Sequence, residues 1–227
     1  MASDWTRRAF VGAASAAAVG MIGATAQAAE PKTVKIIGVS CSPRKGMTTA
    51  TAVNACLEAA KAVGPNVEVE LIDLGGMKIP GEVAAGVKLA EGERDDFPAL
   101  AEKLKDPKVA GIIIGTPVYF GQMSALCKAF LDRWMAFRKD NVMSNRVAGC
   151  LAVGAGRNGG QELTIASLQA ILMAQEMVVV GDARPTQHRG AILWNNWKDD
   201  ITKDEFGMQT AKNLGKRVAE VAMKMVG

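Results

Sequence analysis

Between Gly38 and Thr49 the chain reads GVSCSPRKGMTT, and within it Ser42, Arg44, Thr48 and Thr49 bring three hydroxyls and a guanidinium fork close together. The run lies between a β-branched stretch, TVKIIGV (33–39), and apolar residues at helical spacing, Ala50, Val53, Leu57 and Ala60. A helix start exposes unpaired backbone N–H groups and the positive end of its dipole, so hydroxyls and a cation at that point suit a terminal phosphate monoester. The loop is not a Walker A loop, because Lys45 precedes Gly46 and no Gly-Lys-Ser/Thr is present. A polar turn with Thr48 as the helix N-cap is the alternative reading of the same residues.

Two more loops carry chemistry. In GTPVYFGQMS (115–124), Pro117 stiffens a turn, Val118 follows it, Tyr119 and Phe120 offer aromatic surface, and Gly121 permits close backbone approach. Such a loop suits a flat heterocycle, or else a simple aromatic lid on the core. In VGAGRNGGQE (153–162), Gly154, Gly156 and Gly159 spell GxGxxG, and Asp182 follows 23 residues after Gly159. That pattern formally meets a dinucleotide fingerprint. Only about 45 residues remain after Asp182, with no recognisable strand among them, too few for the second half of a dinucleotide fold.

The elements that must position these loops alternate regularly. TVKIIGV (33–39), NVEVELIDL (66–74), VAGIIIGT (109–116), RVAGCLAVG (146–154) and MVVVGD (177–182) read as five strands. Helical faces separate them: Ala50 to Ala60, a helix at about 96–106, Met123 to Trp134, and Leu168 to Leu172; Leu214 to Met225 closes the chain. Alternation of this kind implies parallel pairing with helices on both faces, and ligands then bind at the carboxyl ends of the strands where strand order reverses. Residues 75–95 and 183–200, the latter with Trp194 and Trp197, read as long irregular segments. All three loops follow strands, so one rim holds phosphate donors, a ring contact and a close-approach glycine loop. FMN fits that inventory best.

SPRKGMTT, GTPVYFGQMSALCKAFLDR and GAGRNGGQELTIASLQAILMAQEMVVVG resemble the three flavin loops of the NAD(P)H-dependent FMN reductase family, in the branch of iron–sulfur flavoproteins and quinone reductases. The likeness runs from about residue 33 to 182. It implies an α/β, flavodoxin-like three-layer sandwich whose five-stranded parallel sheet has the order 2-1-3-4-5. It also implies that Ser42, Arg44, Thr48 and Thr49, with Met47 in the same loop, hold the FMN phosphate. Pro117, Val118, Tyr119, Phe120 and Gly121 would border the isoalloxazine, and Ala155, Gly156, Arg157, Gly159 and Gly160 would approach its pyrimidine side. NAD(P)H is then the donor, a small molecule such as a quinone or flavin the acceptor, and the transfer through flavin N5 ping-pong. Family members commonly form dimers or dimers of dimers, so a homodimer or homotetramer is expected. Where the family often has Gly, Gly and Asn, this chain has Cys41, Met47 and Thr48. The cluster-binding cysteines of iron–sulfur members are missing from 75–95, so no cluster or other metal is expected. No catalytic acid or base is assigned, Tyr119 and Arg157 being the candidates nearest the ring.

At the N-terminus, TRRAFVGAASAAAVGMIGATAQAAEP sets Arg7 and Arg8 before an uncharged Ala/Gly-rich run and small residues around Ala26-Gln27-Ala28. That is the layout of an export signal, and Thr6 to Val11 resembles the twin-arginine type. The expected division is therefore a signal over 1–28 and an FMN-binding domain over 29–227, in a periplasmic or otherwise exported protein with no stable membrane insertion after cleavage. An uncleaved anchor is the alternative. The whole chain carries +4, and +3 without the signal, too slight and too evenly spread for a nucleic-acid groove. Carriers of the flavodoxin type are usually strongly acidic, so this balance favours an enzyme, with an exported carrier fed by a quinol or cytochrome as the alternative. Cys41, Cys56, Cys127 and Cys150 contain no CxxC and read as free core thiols. His188, the only histidine, lies in a loop and does not support Ser–His or Cys–His catalysis.

Overall fold

The computed structural model describes residues 32–227, so the signal expected over 1–28 lies outside the described residues. The strands are β1 (Val34–Ser40), β2 (Val67–Asp73), β3 (Val109–Tyr119), β4 (Gln122–Met123), β5 (Val147–Gly154), β6 (Val178–Val180) and β7 (Ala191–Trp194). The helices are α1 (Thr48–Lys61), α2 (Phe97–Lys105), α3 (Ala125–Asp132), α4 (Gln161–Met173) and α5 (Glu205–Val226). The main sheet runs β2-β1-β3-β5-β6, all parallel, which in a count of the five expected strands is the order 2-1-3-4-5. The fold is α/β and flavodoxin-like.

Two strands are additional to the sequence reading. β4 folds back antiparallel on the end of β3, pairing Tyr119 with Gln122. β7 pairs parallel with β5, Leu151 with Ala191 through Gly154 with Trp194, whereas β6 takes only Val147 to Gly149. One edge position is thus shared by two short strands with an excursion, 181–190, between them. Four residues, AILW, give no usable period, and for this reason the segment after Asp182 does not read as a strand.

Alternation of side chains divides the core in two. Ile37, Val39, Ile112, Ile114, Cys150 and Ala152 face α2, α3 and α4, where Phe97, Phe130, Trp134 and Phe137 meet edge to face or tilted at 5.7 to 6.1 Å. Arg133 lies over the Phe97 ring, forms a bidentate pair with Asp95 at 2.8 and 3.0 Å, and donates to the Pro80 carbonyl. This anchors the irregular segment before α2. Ile36, Ile113, Val147 and Leu151 face α1 and α5 on the other side.

Small residues bring those two helices close to the sheet. Cβ atoms built on Gly38 and Gly115 would stand 2.5 and 2.4 Å from the methyls of Val53 in α1, and those on Gly111 and Gly149 would crowd Val218 in α5. The helices also approach each other at Gly215, where a Cβ would lie 1.9 Å from the Cys56 carbonyl oxygen. A methyl there cannot be absorbed by a flexible side chain, since the obstacle is backbone. Gly215→Ala is expected to destabilise the fold by about 2–3 kcal/mol, read as a lower denaturant midpoint with an unchanged slope.

Candidate functional site

Chain order reverses between β1 and β3, with α1 on one face and α3 on the other, so a crevice opens at their carboxyl ends. A cavity of about 280 Å³ occupies it. Its walls are Ser42, Arg44, Thr48 and Thr49 after β1, Pro117 to Tyr119 at the end of β3, Val153 to Ala155 at the end of β5, and Asn195, Trp197 and Asp199 after β7.

At one end stands the first turn of α1. Its N-cap position is Met47, which offers no side-chain hydrogen bond, and the first turn contains no acidic residue. Thr48 is therefore the first helical residue, and the reading of it as N-cap does not hold. Thr48 and Thr49 are buried, and among the described residues their hydroxyls have no hydrogen-bond partner. Helix N–H groups without a cap, beside two unengaged hydroxyls, form a cradle for an anion. Asp73 at the end of β2 steadies this loop by accepting from the N–H groups of Gly46 at 2.7 Å and Gly75 at 3.1 Å. Gly46 turns the loop with φ of +72°.

Arg44 is not free. Its two terminal nitrogens donate to the Asp199 carboxylate at 2.8 and 2.7 Å. The same bonds hold the Asp199 carboxyl below the usual carboxylate range and raise Arg44 further. The Ser42 hydroxyl accepts from the Arg44 N–H at 3.1 Å.

The ring end is built by a hairpin. Phe120 and Gly121, with φ of +52° and +75°, form the two-residue turn between β3 and β4, the backbone twist that tight hairpins require. Tyr119 is half exposed and Phe120 wholly exposed at the tip. Ser124 ties the hairpin to the phosphate end: its hydroxyl donates to the Cys41 carbonyl at 2.7 Å and accepts from the Cys127 N–H at 3.0 Å as the N-cap of α3.

The glycine loop closes on the protein. The Gln161 amide donates to the carbonyls of Gly156 and Leu193 at 2.7 and 3.1 Å, and its oxygen accepts from the Gly159 N–H at 2.9 Å. A Cβ on Gly154 would strike that amide, and one on Gly160 would stand 2.8 Å from the Gly121 Cα. Ala155 lines the cavity, whereas Arg157 lies against the Trp194 ring at 4.8 Å and donates to Asp204 at 2.9 Å. Met47, Phe120, Gly121, Gly156, Gly159 and Gly160 flank the cavity from the same loops without lining it. Asp182 is fully buried and accepts from the Thr186 hydroxyl and the His188 N–H, so its carboxylate does not face outward for a ribose and the dinucleotide reading, which rested on it, fails.

The cavity therefore joins an anion cradle to a slot walled by Pro117, Val118, Tyr119, Val153 and the Gly154–Ala155 backbone, a fit for a phosphorylated flat ring. A family profile described as NADPH-dependent FMN reductase matches residues 34–189. The chain belongs to that family. An iron–sulfur flavoprotein of Methanocaldococcus jannaschii is 39% identical over 191 residues, covering 83% of this chain and 97% of the relative. A protein of Archaeoglobus fulgidus named NAD(P)H dehydrogenase (quinone) is 30% identical over 168 residues, covering 74% and 82%. Among solved structures, a WrbA-like flavodoxin of Agrobacterium tumefaciens superposes with a TM-score of 0.60 at 19% identity over 85% of this chain and 99% of that one, a likeness of fold. As a member of the FMN reductase family the chain is an oxidoreductase with FMN as its cofactor.

Four residues with no motif of their own build the site: Asp73, Ser124, Gln161 and Asp199. Only Ser124, which precedes an apolar helical run, carries a sequence signal, that of an N-cap. The four cysteines are buried and free, and burial pushes the thiols of Cys41, Cys56 and Cys150 up. Ser124→Ala leaves the Cys41 carbonyl and the Cys127 N–H unpartnered, and is expected to cost about 1–2 kcal/mol, measured by chemical denaturation.

Proposed function

We propose that the protein catalyses NAD(P)H-dependent reduction of a small acceptor, a quinone or a free flavin, with FMN held between the α1 cradle and the β3–β4 hairpin. The observation that carries this reading is the uncapped first turn of α1, with the free hydroxyls of Thr48 and Thr49, opening into a cavity that three strand ends share. Backbone N–H groups of that turn and the two hydroxyls hold the phosphate, and Ser42 and Arg44 border it. Pro117 to Tyr119 hold one edge of the ring, while Ala155 and its neighbours approach the other. FMN bound there would supply two-electron redox chemistry between a nicotinamide donor and the acceptor.

Tyr119 and Phe120 flank the open side, where donor and acceptor would lie in turn, the arrangement a ping-pong cycle needs. A quinone is the favoured acceptor, in line with the name of the Archaeoglobus relative. The wholly exposed Phe120 also favours assembly, a homodimer or homotetramer in which a second copy covers the hairpin. Sedimentation of the purified protein checks that state.

Arg7 and Arg8 support export by the twin-arginine route, which carries folded, cofactor-loaded proteins. Reduced nicotinamides are scarce outside the cytoplasm, so Arg7-Arg8 favours a second reading in which a quinol or cytochrome is the donor. Anaerobic stopped-flow mixing with NADPH separates the two. Fast loss of the yellow flavin band is expected, and a band that persists with NADH and NADPH would sink the nicotinamide reading.

Met47→Asp supplies the missing cap. It is expected to stabilise the cofactor-free protein by about 1 kcal/mol and to abolish FMN retention, because the new carboxylate takes the N–H groups the phosphate needs. Thermal melts and the flavin content of purified protein measure the two effects.

A further inference from the structure

The segment after β7 holds an unusual backbone. Asn196, Trp197 and Asp199 have φ of +50°, +59° and +51°, three non-glycine residues in the left-handed region within four positions. Such conformations persist only where surrounding contacts hold them. Trp197 is 84% exposed and supplies little packing. Within the segment Asn195 accepts from the Trp197 N–H at 3.1 Å and its amide reaches Asp199 at 3.4 Å. The bond that ties the Asp199 side chain to the rest of the fold is the two-pronged pair with Arg44, from a residue 155 positions away in the chain. Both partners line the cavity that contains Ser42, Thr48 and Thr49.

A carboxylate seated on both prongs of a guanidinium has the geometry a phosphomonoester would adopt on the same group. The two anions cannot share it without like-charge repulsion. We propose that Asp199 is an internal competitor for the flavin phosphate: its carboxylate occupies Arg44 in the empty site, yields it when FMN enters, and retakes it when FMN leaves. The inference rests on the FMN reading of the cavity. It makes residues 195–199 a determinant of flavin exchange, and makes Asp199 act on the phosphorylated flavin alone. Arg44 holds the Asp199 carboxyl below the ordinary carboxylate range, so the competitor is fully charged throughout the neutral range. Both side chains are about half exposed, so salt screens the competition.

The test is flavin binding by fluorescence quenching and stopped-flow dissociation, with wild type, Asp199→Ala, Arg44→Ala and the double variant. An exposed ion pair of this kind corresponds to about a two- to five-fold effect on an equilibrium. Asp199→Ala is expected to bind FMN tighter and release it more slowly by about that factor, with riboflavin, which has no phosphate, unaffected. The gain should vanish in the Arg44→Ala background and shrink in strong salt. Equal or weaker FMN binding by Asp199→Ala, or an equal change for riboflavin, overturns the inference and leaves the FMN site standing. Failure of wild type and of every variant to quench FMN overturns both. An unchanged melting temperature of Asp199→Ala without flavin guards against a folding defect.

Discussion

The seat of α1 on the sheet governs the rest of this molecule. Val53 presses onto Gly38 and Gly115, and Gly215 of α5 lies directly on the Cys56 carbonyl, so α1 is held from below and from the side by contacts that tolerate no extra atom. A close helix places its first turn at the crevice between β1 and β3, where the dipole and free N–H groups act on whatever enters. Asp73 from β2 and Ser124 from α3 then fix the loop that leads into it. Packing at the bottom of the fold thus determines electrostatics at its rim.

Stability and chemistry are separated along the strands. Below the rim, the cluster of Phe97, Phe130, Trp134 and Phe137 and the helix pair α1–α5 bury apolar surface on both faces. At the rim the protein leaves a helix uncapped, projects Phe120 into solvent, and holds Asn196, Trp197 and Asp199 in left-handed backbone. Each of these costs stability, and all three surround one cavity or its hairpin, the distribution expected of a binding site rather than of a packing surface.

The charges at the rim are mostly answered from within. Arg44 has Asp199, and Arg157 has the buried Asp204 and the face of Trp194. Attraction for an anion therefore comes first from oriented backbone dipoles and hydroxyls, which need no counter-ion.

What the sequence by itself determined was periodic and local. Short buried apolar runs specify four of the parallel strands and apolar–polar alternation the edge strand β2, helical spacing specifies α1 to α5, and strand-end loops rich in small, hydroxyl and aromatic residues mark the rim and its ligand, because each signal lies within one element and its neighbours. Only the tertiary structure decided which groups are free. The two-residue β4 and the four-residue β7 are too short for a period and exist because β3 and β5 offer open edges. Arg44 reads in sequence as an unattached cation, yet Asp199, 155 residues on, takes it, and Gln161 claims the glycine loop in the same way. Such pairings depend on distances across the fold, and no local pattern of residues encodes them.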